Sequence, residues 1–272
     1  MNPWRRIILN DTPSVPEGPF GHEVAEDLQL RMLSALARHA LPDGPIDYRR
    51  LRTCPDYRDI LRAARRLQQV DLARLGARPL RLAFWINVYN ALAVHAIVAL
   101  ALRRTVWEVL NFFGRVSYRV GPVVLSLDEI EHGILRGNRR RVLPPWPVFR
   151  RGDARLAQAV EPPDPRIHFA LTCGARSCPP VGIYRAPAID DQLELATRSF
   201  VNSEITLDDH GRLVCSKLFK WYRDDFGDDT ALAHFLSRHL DDGPVKAALA
   251  AGARPCQKFR LYSWALQHPP TA

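Results

Sequence analysis

"RLAFWINVYNALAVHAIVALAL", residues 81–102, decides the fold. The run is nearly all apolar, with no polar face at helical spacing, so it predicts a helix in the centre of a domain rather than on a surface. Its length approaches that of a membrane span. Asn87, Asn90 and His95 interrupt it, however, and such groups are expensive in hydrocarbon, so the run predicts a buried core helix and no membrane span. Asn87 and Asn90 lie one turn apart on one face. Buried amides must be hydrogen-bonded, so they either pin a neighbouring loop or line a pocket.

Working outward, residues 22–41 have amphipathic periodicity through Val24, Leu28, Leu30, Leu33 and Leu36, and "LPDGPIDY" breaks it with a turn. "PDYRDILRAARRLQQVDLARL" predicts a second amphipathic helix started near Pro55-Asp56. C-terminal to the core helix, "VSYRVGPVVLSL" alternates around a Gly-Pro turn and predicts a β-hairpin. "SLDEIEHGILRGN" predicts a short helix capped by Ser126 or Asp128 and stopped by glycine. "RIHFALTC" is expected as a strand, "AIDDQLELATRSFVNSE" as a helix and "ITLDDHGRLVCS" as a hairpin. Two further helices, "LFKWYRDDFG" and "DTALAHFLSRHL", precede a closing extended segment, "KFRLYSWAL". The sum is a helix-rich α+β domain with a small antiparallel sheet. Residues 1–21 are Pro-punctuated and expected as a loose N-terminal arm, leaving 22–272 as a single domain.

The net charge of +9 is almost entirely arginine, because Lys217, Lys220, Lys246 and Lys258 are the only lysines. With 22 prolines and Ala-rich runs, this matches the codon bias of a GC-rich bacterial genome. The densest basic stretch, Arg136 to Arg151, is broken by "LPPWP", which suits a solvated loop. No nucleic-acid-binding module is recognisable, so no nucleic-acid partner is expected. The first 25 residues lack the apolar segment of a secretory signal, and the five cysteines leave at least one thiol unpaired. A reduced, cytoplasmic protein is the expectation.

The chemistry concentrates in "HFALTCGARSCPP", residues 168–180. On a regular strand His168 and Cys173 would face opposite ways. Cys178 lies beyond a Gly-containing loop and can fold back, so pairing it with His168 is geometrically easier. Pro179 would place Cys178 at a helix N-cap, where amides and dipole favour a thiolate. The bland readings are a buried core cysteine at 173, a Cys173–Cys178 disulfide, or a zinc site with His168, which lacks a fourth ligand. Glu131 and His132 form a second polar cluster on the "DEIEHGILR" helix, where an exposed, salt-bridged face is the alternative.

Together, "FWINVYNAL", "LDEIEHGILR", "RIHFALTCGARSCPPV", "QLELATRSFVN", "KWYRDDFG" and "LYSWALQ" resemble, in that order, the domain-of-unknown-function family 547, from about Leu51 to Gln267. The ending departs from the more usual "YDWSLN", with Ser263 at the acidic position, which puts any role of that carboxylate here in doubt. Bacterial relatives are often exported, unlike the expectation above. The motif positions are Asn87, Tyr89, Asn90, Glu131, His132, Arg136, His168, Cys173, Ser177 and Cys178. They hold every group that thiol catalysis needs. By analogy, a helix-rich α+β domain with such groups suggests a papain- or transglutaminase-like core in permuted order.

The leading expectation is a cofactor-free and metal-free, thiol-dependent hydrolase or acyl-transferase acting on an amide, peptide or thioester bond of a peptide or small molecule. Cys178 is the nucleophile, with Cys173 the alternative. His168 or His132 is the base, and Glu131 or an Asn orients it. The amides of "GARSC" form the oxyanion hole. Asn87, Tyr89, Asn90, Arg136 and Ser177 are the expected substrate-binding residues. The rival expectations are a non-catalytic interaction module and a redox or zinc module built on Cys173 and Cys178.

Overall fold

The structure is a computed structural model that describes residues 5–12, 20–41, 46–140 and 146–266. The remainder of the expected arm (1–4 and 13–19), of the turn (42–45) and of the basic loop (141–145), together with 267–272, lies outside the described residues.

The apolar run becomes helix α4, Arg78–Ala99, which follows α1 (Glu23–Arg38), α2 (Tyr48–Thr53) and α3 (Pro55–Arg66). Pro79 sits in its first turn, where the missing N–H costs nothing. Every residue from Leu82 to Val98 is buried. By length and composition α4 could cross a membrane, but 94% of its apolar window is buried inside the fold. Its all-round apolarity is therefore met by protein: α1, α2, the β2–β3 hairpin described next and the 129–135 helix pack around it. On α1 the buried stripe is Val24, Ala25, Leu28, Met32, Ala35 and Leu36, while Leu30, expected in it, is 47% exposed.

Strands β1 (Ile7–Ile8), β2 (Val116–Val120) and β3 (Val123–Ser126) form the first sheet. The β2–β3 hairpin turns at Gly121-Pro122 as its sequence predicts. β1, by contrast, joins β2 in parallel, pairing Ile7 with Val116. This corrects two expectations. The sheet is mixed rather than antiparallel, and residues 5–12 are not a loose arm: the Asn10 side chain is buried and donates to the carbonyls of Ala64 and Arg119.

Four-residue helix α5 (Phe112–Arg115) leads into β2. The chain then runs through α6 (Ile189–Glu204), the hairpin β4 (Thr206–Leu207) and β5 (Leu213–Cys215), and α7 (Leu218–Trp221). It ends with α8 (Arg223–Phe226), α9 (Asp229–His239), α10 (Pro244–Ala250) and β6 (Lys258–Phe259). β4 and β5 are antiparallel and β6 adds to β5 in parallel, a second mixed sheet. A Cys215–Cys256 disulfide staples β5 to the approach of β6. The fold class is thus helix-rich α+β with two small mixed sheets.

The buried side chains form two apolar clusters, one around α4 and one around Phe169, Phe200, Phe219 and Leu236. Residues 167–178 run along the seam: Ile167, Ala170 and Leu171 belong to the first and Phe169 to the second.

Candidate active site

The 167–173 segment is not a strand. Pro165–Phe169 is a 3-10 turn capped by Asp164, whose carboxylate accepts from Arg166 N–H at 3.0 Å. Strand alternation therefore does not apply, and His168 and Cys173 face the same cavity. What fixes the segment is α4. Asn90 donates to Ala170 C=O at 2.9 Å and accepts from Thr172 N–H at 2.9 Å. Asn87 does the same to both backbone groups of Tyr184, at 2.7 and 3.0 Å. Both amides are spent on the backbone, so these asparagines pin the cysteine loop instead of binding substrate as expected.

Gly174 turns the loop at φ +80°, a left-handed conformation that favours glycine, and a Cβ there would meet Ile97 Cδ1 at 2.3 Å and force that side chain to move. Beyond it the loop is stitched to the C-terminal segment. Arg176 N–H donates to Ala265 C=O at 2.8 Å, and Ser263 N–H donates to Ser177 Oγ at 2.9 Å. Ser177 is accordingly a fastener that brings Tyr262 and Trp264 to the site. Its predicted role in substrate binding is not supported. No helix follows Cys178: residues 179–185 are irregular, so the N-cap expected at Pro179 does not exist.

The cavity has a volume of about 350 Å³. Tyr89, Glu131, His132, His168, Cys173 and Cys178 line it, as do Trp107, Phe113, Trp221, Tyr222, Tyr262 and Trp264. Cys178 Sγ sits 2.9 Å from Cys173 Sγ, 3.1 Å from Tyr262 Oη and 3.2 Å from the Cys173 amide N. Burial works against a thiolate at Cys178, but hydrogen bonds from the Cys173 thiol, the Tyr262 hydroxyl and the Cys173 amide outweigh it and bring the group down to about 6. Cys173 moves the opposite way, raised by its bond to Cys178 and by burial, so it is the proton donor of the pair. Both thiols are free, so the disulfide alternative at this pair is not adopted.

The other wall carries a carboxylate–histidine network. Glu131 and His132 lie on a π-helical turn, Glu129–Leu135, where Arg136 N–H reaches back five residues to Glu131 C=O at 2.8 Å. Ser126 Oγ caps its start by accepting from Glu129 N–H, while Glu129 Oε2 accepts from Ser126 N–H. Glu131 accepts from Tyr222 Oη at 2.5 Å and Tyr89 Oη at 3.0 Å. Burial raises its pKa, but His132, Tyr222, His168 and Arg136 more than offset this and keep it ionised.

His168 donates from Nε2 to Asp225 at 2.8 Å and stacks on Tyr222 with ring centroids 3.8 Å apart. Burial lowers its pKa despite that carboxylate, so the ring is neutral near pH 7 with Nδ1 as its basic nitrogen. Asp225 also holds Arg136 in a two-point contact of 2.5 and 3.0 Å. His132 Nδ1 accepts from Arg136 at 2.9 Å. Arg136 is thus buried behind the cavity wall, an organiser and not the expected substrate-binding residue.

Two expectations fail on geometry. Among the described residues no histidine is hydrogen-bonded to either cysteine, so the predicted Cys–His pair shares a cavity without touching. Of the "GARSC" amides expected to form an oxyanion hole, only that of Ala175 faces the cysteine sulfurs, and the other four are spent elsewhere. Gly174, Arg176, Ser177 and Cys178 N–H groups donate to Thr172 Oγ1 and to the carbonyls of Ala265, Ser263 and Ala175 respectively. Four groups escaped the sequence reading: Asp225, Tyr222, Tyr262 and Trp264. All lie in "KWYRDDFG" and "LYSWALQ", so the motif residues were visible, but their contacts with Glu131, His168 and Cys178 span more than 50 residues of sequence.

Comparison with curated proteins and with solved structures gave no match to either. Residues 73–201, which hold α4, the π-helical turn and both cavity cysteines, match the model of the family described as "Protein of unknown function, DUF547", and it is to this family that the segment belongs.

Proposed function

We propose that this protein is a thiol-dependent hydrolase or acyl-transferase with Cys178 as nucleophile. The observation that carries the reading is the Cys178 sulfur itself, which accepts hydrogen bonds from Cys173 and Tyr262 at the wall of an aromatic cavity. The Cys178 thiolate adds to the carbonyl carbon of an ester, thioester or amide, the bond to the leaving group breaks, and a thioester to Cys178 forms. The leaving group takes its proton from water, and Tyr262 Oη, whose proton burial and the neighbouring Cys178 thiolate hold firmly, donates a hydrogen bond to the developing oxyanion. Water or an acceptor then cleaves the thioester, with neutral His168 Nδ1 or His132 as base, Asp225 orienting the His168 ring and Arg136 the His132 ring. The aromatic wall of Trp107, Phe113, Trp221 and Trp264 favours an apolar or aromatic acyl group. The finer fold reading, a permuted papain- or transglutaminase-like core with site order Glu131, His168, Cys178, belongs to this proposal.

A second reading, thiol–disulfide exchange, is favoured by the 2.9 Å approach of the two sulfurs. There Cys178 attacks a substrate disulfide, one substrate thiol leaves, and Cys173 loses its proton and displaces the second thiol. The pair is oxidised and the substrate reduced. As to location, the Cys215–Cys256 disulfide favours an oxidising compartment over the cytoplasm.

Intact-mass analysis after brief exposure to aryl esters and acyl thioesters tests the proposal. An acyl adduct on Cys178 is expected in the wild type and in Cys173→Ala, and none in Cys178→Ala. Loss of all reactivity in Cys173→Ala, with disulfide reduction in the wild type, would establish the second reading instead. No adduct with any acyl donor while Cys178 still alkylates as a thiolate would sink the first.

A further inference from the structure

Away from the cavity, and outside residues 73–201, three donor side chains of different chemistry converge where α1 ends and α3 begins. His39 is the C-cap of α1. Cys54 is the N-cap of α3, and Asp56 lies in that helix's first turn. One ligand atom from each, an imidazole nitrogen, the Cys54 sulfur and an Asp56 oxygen, all lie within 4.8 Å of one another.

The imidazole is buried and under-bonded. Its side chain is only 8% exposed, and its Nδ1 is buried with no hydrogen-bond partner. Nε2 is 3.6 Å from Asp56, too long for a strong hydrogen bond. An unmet buried polar atom costs about 1–3 kcal/mol, and native proteins resolve it with water or an ion. Among the described residues the Cys54 thiol donates to the Leu51 carbonyl, 3.0 Å away. Arg38 holds both Asp56 oxygens, from Nε and Nη2 at 3.0 Å each, but its side chain is 58% exposed, and water can take over one of the two contacts to release a carboxylate oxygen.

We propose that His39, Cys54 and Asp56 form a binding site for a borderline-soft divalent metal of the zinc class, which clasps the end of α1 to the start of α3. Thiolate plus imidazole excludes magnesium and calcium and suits zinc or cobalt. Metal–ligand bonds of about 2.0–2.3 Å put tetrahedral donors roughly 3.3–3.8 Å apart, so rotations of about 1 Å close the set. Three protein ligands leave the fourth position to water. Binding takes up the lone pair of one imidazole nitrogen and converts the Cys54 thiol to a thiolate, releasing its proton to solvent. The zinc site considered for Cys173, Cys178 and His168 is the weaker alternative, since among the described residues the donor atoms that converge within 4.8 Å are those of His39, Cys54 and Asp56.

The test uses the full-length protein, stripped of metal and with its free thiols reduced, titrated with cobalt and then zinc. Visible thiolate–cobalt bands are expected with about one equivalent bound. Zinc should slow alkylation of Cys54 at least about tenfold, as mapped by mass spectrometry, and Cys54→Ser and Asp56→Asn should each weaken uptake by about 100-fold or more while retaining wild-type circular dichroism. Zinc that leaves Cys54 alkylation unchanged, or protects Cys173 and Cys178 alone, overturns the proposal. So does full cobalt binding by Cys54→Ser.

Discussion

Replacing Tyr262 by Phe removes a single hydroxyl and leaves the ring contacts with Trp221 and Trp264 in place. The hydroxyl donates to Cys178 Sγ at 3.1 Å. Burial works against the Cys178 thiolate, but its hydrogen bonds bring the thiol down from its ordinary value near 9 to about 6. A hydrogen bond to a charged group contributes about 1.5–3 kcal/mol, so Tyr262→Phe should raise the Cys178 midpoint by about one to two units. The assay is the rate of iodoacetamide alkylation against pH, resolved by peptide so that Cys54 and Cys173 are followed separately. The wild type should reach its plateau near neutral pH, and the variant should require pH 8 or above. At pH 6 the variant should react roughly ten-fold more slowly than the wild type. A wild-type midpoint above 8, or a Tyr262→Phe midpoint that does not move, would refute the reasoning that these donors create the thiolate.

Asn90→Ala strips the partners from Ala170 C=O and Thr172 N–H, so thermal melts should show a loss of about 2–4 kcal/mol, with Cys178 alkylation losing its low midpoint as the loop slackens. Asp225→Asn leaves Arg136 buried without its counter-charge and should cost about 3–5 kcal/mol by denaturant titration. In the wild type the Asp225 pKa is held below the ordinary 3.8 by His168 and Arg136 against burial, so its stabilisation is complete above that value and is lost as pH falls below it. The variant should lack this acid limb. For the Cys215–Cys256 bridge, which closes a 41-residue separation, unfolding without reductant should expose three alkylatable thiols per chain, and Cys256→Ser should lower stability by about 3–4 kcal/mol. Five reactive thiols would remove the bridge and with it the argument for an oxidising compartment.

Local pattern was enough for α1, α3, α4, α6 and α9 and for both hairpins, because periodicity and turn chemistry act within a few residues, whereas the short α2, α5 and α10 were not foreseen and the helix expected at 218–227 divides into α7 and α8. The burial of Leu82 to Val98 followed from apolarity alone, and the pinning role of Asn87 and Asn90 was one of two outcomes that burial of an amide permits. The identities of Glu131, His132, His168, Cys173 and Cys178 as cavity residues could likewise be read from their clustering in motifs. What could not be read was how they meet. A 3-10 turn stands where β-rich composition suggested a strand, because Asp164, Pro165 and the clamp from Asn90 override propensity. Pairing of β1 with β2 and of β6 with β5 depends on contacts across long separations, so the mixed character of the sheets was invisible. The sequence by itself determined the core helix, the polar residues that must be satisfied and the thiols available. Only the tertiary structure decided which of these touch: Tyr262 rather than a histidine stands against Cys178, Asp225 holds His168, and Cys215 takes Cys256, because each contact closes a long loop whose entropy is offset by packing elsewhere.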